Sequence, residues 1–296
     1  MTATAAPTAL GAEEPRPASG RPRSGPRWGR AALAAVAYVV ALIFIAPYVE
    51  MVIQAARPAA ESRDASYFPT HWTFSNFTTL WDLGFGHNMV VSLEIAGGAT
   101  ALVLIVALPA AYYTARRPFF GRGAFLGLVL VTQMFQPAAM LVGIQREFLS
   151  FDLPSPTLSL ILVNAGFNLA FAVWILNAYF SSIPAELEEA AMVDGASRLS
   201  ALLRITLPLT WPGVVTALIF TFIAAWNEFV VALILSSDSA GTAQPLTVAM
   251  DKLVGGYQTD FGHLFAVAAI ATVPVIALFA VIERKVVGGL TAGSVK

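Results

Sequence analysis

Six long apolar runs, nearly free of charge, dominate the chain: 31–49, 95–115, 123–145, 153–185, 205–237 and 261–282, the fifth interrupted only by Glu228. A helix that crosses a bilayer needs about 20 such residues. The runs therefore predict helices at about 31–54, 88–115, 122–145, 157–180, 211–236 and 263–284. The fourth starts near Thr157 because Leu153-Pro-Ser-Pro156 reads as a loop. The predicted class is all-α: a polytopic membrane protein with six transmembrane helices. One polar interval breaks the pattern between the fourth and fifth helices, SSIPAELEEAAMVDGASRLSALLRITLPLTWP, Ser181 to Pro212.

Composition agrees with the pattern. The chain is 57% hydrophobic and 12% charged, against about 25% charged in an ordinary soluble domain. A net charge of −1 gives no reason to expect a nucleic-acid partner. Cysteine is absent, and the three histidines, His71, His87 and His263, are too scattered for a metal site. None of the lysines, Lys252, Lys285 and Lys296, follows a glycine, so the Gly-Lys-[Ser/Thr] of a phosphate-binding loop is missing. No nucleophilic triad or carboxylate pair has a recognisable spacing either, which argues against an enzyme. Residues 1–30, rich in Ala, Pro, Gly and Arg without apolar periodicity, read as a disordered tail before a retained anchor. Residues 31–296 then form the membrane domain.

With six spans both termini lie on one side, and arginine and lysine choose it. Arg16, Arg21, Arg23, Arg27 and Arg30 in the tail share a side with Arg116, Arg117 and Arg122, with Arg198 and Arg204, and with Arg284, Lys285 and Lys296. The other side has only Arg57, Arg63, Arg146 and Lys252. Thirteen against four predicts cytoplasmic termini and a cytoplasmic Ser181–Pro212 interval.

That interval reads as two short helices at a bend, at about 181–210. Ser182 is a candidate cap and Pro184 suits a first turn. Glu186, Glu188 and Glu189 follow at the positive end of the helix dipole. Asp194-Gly195 makes the break, with Asp194 a candidate cap for the second helix. There Leu199, Leu202 and Leu203 recur at helical spacing, and Pro208 and Pro212 end it. Helices this short need a partner surface. Lipid headgroups favour basic polar faces, whereas the first helix carries three glutamates. A protein groove is the better partner.

The interval resembles the EAA loop of bacterial ATP-binding-cassette importer permeases. Glu189-Ala190-Ala191 is followed by three residues, the last of them Asp194, and Gly195; nine more lead to Ile205-Thr206-Leu207-Pro208. Ser182-Ile183-Pro184, Trp226-Asn227-Glu228-Phe229 and the C-terminal Gly289-Leu290-Thr291-Ala292-Gly293-Ser294-Val295-Lys296 are similar to elements of the MalG-like carbohydrate-uptake branch. The long arginine-rich tail and the acidic Glu94 depart from the family pattern. The resemblance implies a type I importer permease fold in a bacterial inner or plasma membrane. It assigns ATPase coupling to Glu189, Ala190, Ala191, Asp194, Gly195, Ile205, Leu207 and Pro208. It implies a second homologous permease, two copies of an ATPase subunit holding ATP and Mg, an extracytoplasmic solute-binding protein, and no cofactor on this chain.

Ionisable and amide groups within spans are candidates for the solute path. Trp226, Asn227 and Glu228 combine an aromatic face with polar groups that suit a sugar, or else form a structural helix-bridging or gating unit. Glu94 either reaches interfacial water or lines the pore. Gln133 and Gln136 form a second polar island, and Asn164, Asn168 and Asn177 a third, more in the manner of glue between helices. A polyol, glycerol phosphodiester or amino acid is the alternative cargo; the spans hold no arginine or lysine for a phosphate. An ion-gradient-driven transporter predicts internal repeats and broken midplane helices, and the sequence displays neither.

Overall fold

The computed structural model describes residues 27–61, 66–135, 137–151, 155–236, 243–254 and 259–292. The regular secondary structure of these residues is helical, apart from one isolated bridge between Val254 and Thr259. Packing divides the chain into residues 1–48 and 49–296. The first part contains most of α1 (Arg27–Ala55), whose residues 31–50 are all exposed. Residues 1–26 of the predicted tail lie outside the described residues, and its last four, Arg27–Arg30, form the first turn of α1.

The second part is built around α3 (Phe85–Arg116) and α6 (Pro156–Ser182), which pack together along their length, with α10 (Trp211–Trp226) against both. Their contact surfaces are made of small residues. Ala96, Ala99, Ala107 and Ala111 of α3 meet a buried set that includes Ala165 and Ala172 of α6 and Ala217 of α10. Small side chains let helix backbones approach where the surrounding solvent is as apolar as the core. Gly213 marks a close approach of this kind: a Cβ added there would run into the Tyr179 ring. Ser155 starts α6, its hydroxyl accepting from the Leu158 amide with Pro156 in the first turn, which is why the fourth helix begins where Leu153–Pro156 suggested.

Four described helices are long and apolar enough to cross a membrane: Ala31–Ala55, Phe85–Arg116, Pro156–Ser182 and Phe261–Glu283. A fifth candidate is the pair Arg198–Leu209 and Trp211–Trp226, bent by 73°. The third and fifth predicted helices are thus not continuous. The third is split into α4 (Arg122–Thr132) and α5 (Pro137–Phe151). The fifth is split into α10 and the short α11 (Val230–Leu235). The expectation of unbroken helices is corrected: hydropathy does not register a break whose flanks stay apolar.

Beyond the long helices, α2 (Ser75–Asp82) lies against α13 (Phe261–Ala292). Asn76 is buried and donates to the carbonyls of Ala55 and Arg57, at 2.8 and 2.9 Å. Thr70 donates to Glu61 through both hydroxyl and amide, and these bonds, with His71 adding to them, hold the Glu61 carboxyl down at about 2. Ahead of α12 (Leu246–Asp251), Asn88 donates to the Gln244 carbonyl at 2.7 Å, and Ser92 accepts from the Leu246 amide at 2.7 Å. These bonds stitch the connecting segments to α3.

Candidate functional site

The polar interval folds as two short helical pieces. The first, α7 (Glu186–Val193), has Glu186, Glu188 and Glu189 in its opening turn, where the free amides favour negative charge. The expected cap, Ser182, does not act there: Ala185 takes the N-cap position, Pro184 precedes it, and the Ser182 hydroxyl donates back to the Tyr179 carbonyl. Gly195, at φ +90°, ends the helix, with the Ala196 amide reaching the Ala191 carbonyl at 3.0 Å. Asp194 closes α7 rather than opening the second piece. Ser197 caps that piece instead, accepting from the Ser200 amide at 3.2 Å. From there α8 (Arg198–Ala201), a π-helical turn (Leu202–Thr206) and α9 (Leu207–Leu209) run on to Thr210 and α10.

Glu188 holds this assembly to the bundle. It is buried, and its carboxylate accepts from Arg116 Nε at 2.8 Å, Tyr112 Oη at 2.8 Å and Thr206 Oγ1 at 2.7 Å. Arg116 also donates Nη1 to the Ile183 carbonyl at 2.7 Å. One carboxylate thus joins the end of α3, the start of α7 and the π turn. A buried pair with good geometry and satisfied partners is costly to break. Sequence reading missed Glu188, because two adjacent glutamates look alike until one is known to face inward. Arg116 entered only as a topological charge.

The other residues of the loop lie differently. Glu189, Ala190, Asp194, Gly195 and Pro208 are exposed; Ala191, Ile205 and Leu207 are half-buried. Large apolar side chains also stand out: Leu187 (45% exposed), Val193 (87%), Leu199 (65%) and Leu203 (53%). The expected second amphipathic helix is shorter than foreseen. Of Leu199, Leu202 and Leu203, only Leu202 packs on the core.

Of the candidate solute-path residues, Trp226, Asn227, Glu228 and Gln133 lie at the two breaks. Trp226 is buried and stacks on Phe222, with ring centroids 5.8 Å apart. Asn227 is exposed and ends α10. Glu228 turns back on the next half-helix and accepts from the amides of Val231 and Ala232, at 2.8 and 2.9 Å, while its own carbonyl accepts from Thr247. It supplies the acceptors that a helix start lacks inside an apolar bundle. At the other break, Gln133 donates to the Phe167 carbonyl of α6 at 3.1 Å. Gln136 lies outside the described residues. Beside this break is an apolar cavity of about 440 Å³ walled by Phe135, Met140, Ile144, Val163 and Phe167. The amides of α6 do not all bridge helices. Asn164 and Asn168 bond carbonyls one turn back in α6 itself, and only Asn177 reaches across, to Thr114 of α3 at 2.8 Å.

Glu94 lies well inside α3 and is exposed. Glu228→Gln keeps one acceptor but loses the charge on a helix start, and uptake should fall about ten-fold, the scale of a lost capping interaction. Glu94→Gln should change uptake by less than about two-fold, since exposed substitutions cost little. Radiolabelled-solute uptake in cells checks the order, and the reverse order would mean that Glu94 rather than Glu228 serves transport.

Comparisons with known proteins converge on this architecture. Residues 104–288 match the family described as the binding-protein-dependent transport system inner membrane component. The trehalose transport system permease protein SugB of Mycobacterium tuberculosis is 33% identical over 245 residues, covering 81% of this chain and 88% of that one. The diacetylchitobiose uptake system permease protein DasC of Streptomyces coelicolor is 31% identical over 265 residues, covering 88% and 95%. The trehalose/maltose transport system permease protein MalG of Thermococcus litoralis is 30% identical over 264 residues, covering 88% and 94%. Among solved structures, a bacterial ABC transporter involved in the import of the acidic polysaccharide alginate aligns with a TM-score of 0.73 at 22% identity, over 89% of this chain and 98% of that one. With four apolar helices of membrane length among the described residues, or five if the bent pair is one span, and the glutamate-anchored loop between α6 and α10, the chain belongs to the family of binding-protein-dependent transport system inner membrane components, permeases of ABC importers rather than enzymes.

Proposed function

We propose that this chain is one of two permease halves of an ATP-driven carbohydrate importer. Its α7–α9 loop faces the cytoplasm and docks on a separate ATPase subunit. One observation carries the coupling: α7 is fixed to the end of α3 through Glu188, while Leu187, Val193, Leu199 and Leu203 stand exposed beside it. An anchored helix with an uncovered apolar face transmits displacement; an unanchored one absorbs it. ATP-driven closure of two ATPase subunits then pulls the docked loops together and rocks the spans outward, where a solute-binding protein delivers the cargo. The thirteen-to-four arginine and lysine count supports the sidedness. The carbohydrate assignment is supported by the cargoes for which the trehalose and diacetylchitobiose relatives are named, and by six apolar runs that offer aromatic and amide groups but no arginine or lysine for a phosphate.

Glu189→Lys tests the docking. Glu189 is exposed, so the variant should fold and reach the membrane in normal amount. Uptake should nevertheless fall at least about ten-fold, and the ATPase should no longer co-purify, because a charge reversal at an interface costs several kcal/mol. Normal uptake with retained ATPase would overturn the proposal.

A further inference from the structure

Between the end of α3 and the α7–α8 loop lies a cavity of about 660 Å³. Its basic wall is Arg116, Arg117 and Arg198; Tyr112 and Tyr113 form its aromatic side. Two carboxylates also border it. Glu188 is spent on Arg116, Tyr112 and Thr206. Glu189 leaves the three arginines in excess by one charge. The Arg116 guanidinium is fixed through Nε and Nη1, yet its Nη2 is buried without a hydrogen-bond partner among the described residues. Arg117 and Arg198 are exposed. Buried guanidinium N–H groups are rarely left without an acceptor, and a planar guanidinium is well matched to phosphate oxygens.

Position narrows the ligand. Arg116 is the last residue of a membrane-length helix, and Tyr113 is exposed one turn before it. Tyrosine and arginine at a span end mark the level of the headgroups. Arginines just beyond the cytoplasmic end of a span attract anionic headgroups. We infer that this cavity is a binding site for the phosphate of an anionic phospholipid of the inner leaflet, held by Arg117 and Arg198 with Arg116 Nη2 as the third donor. The site rests on the proposed cytoplasmic sidedness of this end. A lipid seated there touches both the fixed end of α3 and the moving loop, and so couples bilayer composition to transport.

The test uses the whole complex, purified in detergent, with phosphatidylglycerol as probe and native mass spectrometry as readout. Wild type should retain phosphatidylglycerol over phosphatidylcholine, and Arg117→Gln/Arg198→Gln should bind it roughly thirty-fold more weakly, at about 1 kcal/mol per arginine. Equal retention of phosphatidylglycerol by wild type and double variant would overturn the site. Arginine-dependent binding of inorganic phosphate without phosphatidylglycerol binding would overturn the lipid as its source. In detergent neither sidedness nor ATPase coupling enters the measurement, so its failure leaves the coupling proposal standing, and a failed Glu189→Lys test leaves this one standing. Arg116, which anchors Glu188, is left intact so that the double variant folds.

Discussion

Glu188→Ala should destabilise the permease by about 3–5 kcal/mol, the usual cost of stranding one member of a buried ion pair. Arg116 would keep its bond to the Ile183 carbonyl but lose its counter-charge, while Tyr112 and Thr206 would each lose an acceptor. The damage is therefore larger than one interaction, since three elements separate at a single point. Thermal unfolding in detergent should show the loss, and uptake should fall below detection because α7 no longer follows α3. A double variant, Arg116→Met with Glu188→Leu, is the sharper measurement. Removing both charges together should restore much of the thermal stability, since apolar replacements for a buried pair are often neutral. It should not restore uptake to wild type if the pair also sets the angle of α7. An unchanged unfolding temperature in Glu188→Ala would show that the cluster does not hold the loop.

Gly195→Val should abolish uptake while leaving the bundle folded. An added Cβ meets nothing within 4 Å, so crowding is not the cause. The cause is the backbone: φ is +90°, and a β-branched residue there is strained by about 1–3 kcal/mol. The chain relieves that strain by opening the Ala196–Ala191 closure, and α7 loses the sharp exit that brings Ser197 and α8 alongside it. Activity should follow the order Gly, Asn, Ala, Val, because asparagine tolerates the left-handed region best among residues with side chains. Uptake and ATPase co-purification should fall together along that series. Equal activity in Asn and Val variants would mean that the bend is not what the loop contributes.

The sequence was most legible where physics acts locally. Charge-free length located all four long helices, and reading Leu153–Pro156 as a loop placed the start of the fourth near Thr157, one residue from the Pro156 start that the Ser155 hydroxyl caps. Gly195 announced a bend because few residues tolerate its conformation. What stayed hidden depended on partners distant in the chain. Glu188 and Arg116 are separated by 72 positions, and no periodicity within either segment indicates that they meet. The breaks in the third and fifth helices were hidden for a related reason. Gln133 and Glu228 look like isolated polar residues in apolar runs, and only the bonds that replace the helical ladder show that the ladder stops. Asp194 lost the cap to Ser197 because the left-handed turn at Gly195 delays the second helix by several residues.

The break at Glu228 also bears on how the chain enters the bilayer. An ionised carboxyl at the centre of an inserting helix costs about 3 kcal/mol when it has nothing to bind. Here its acceptors are already matched to amides three and four residues further on. Those bonds need no neighbouring helix. The acid is thus answered by the positive end of the half-helix it opens, and the cost of placing it in an apolar stretch is met within that stretch.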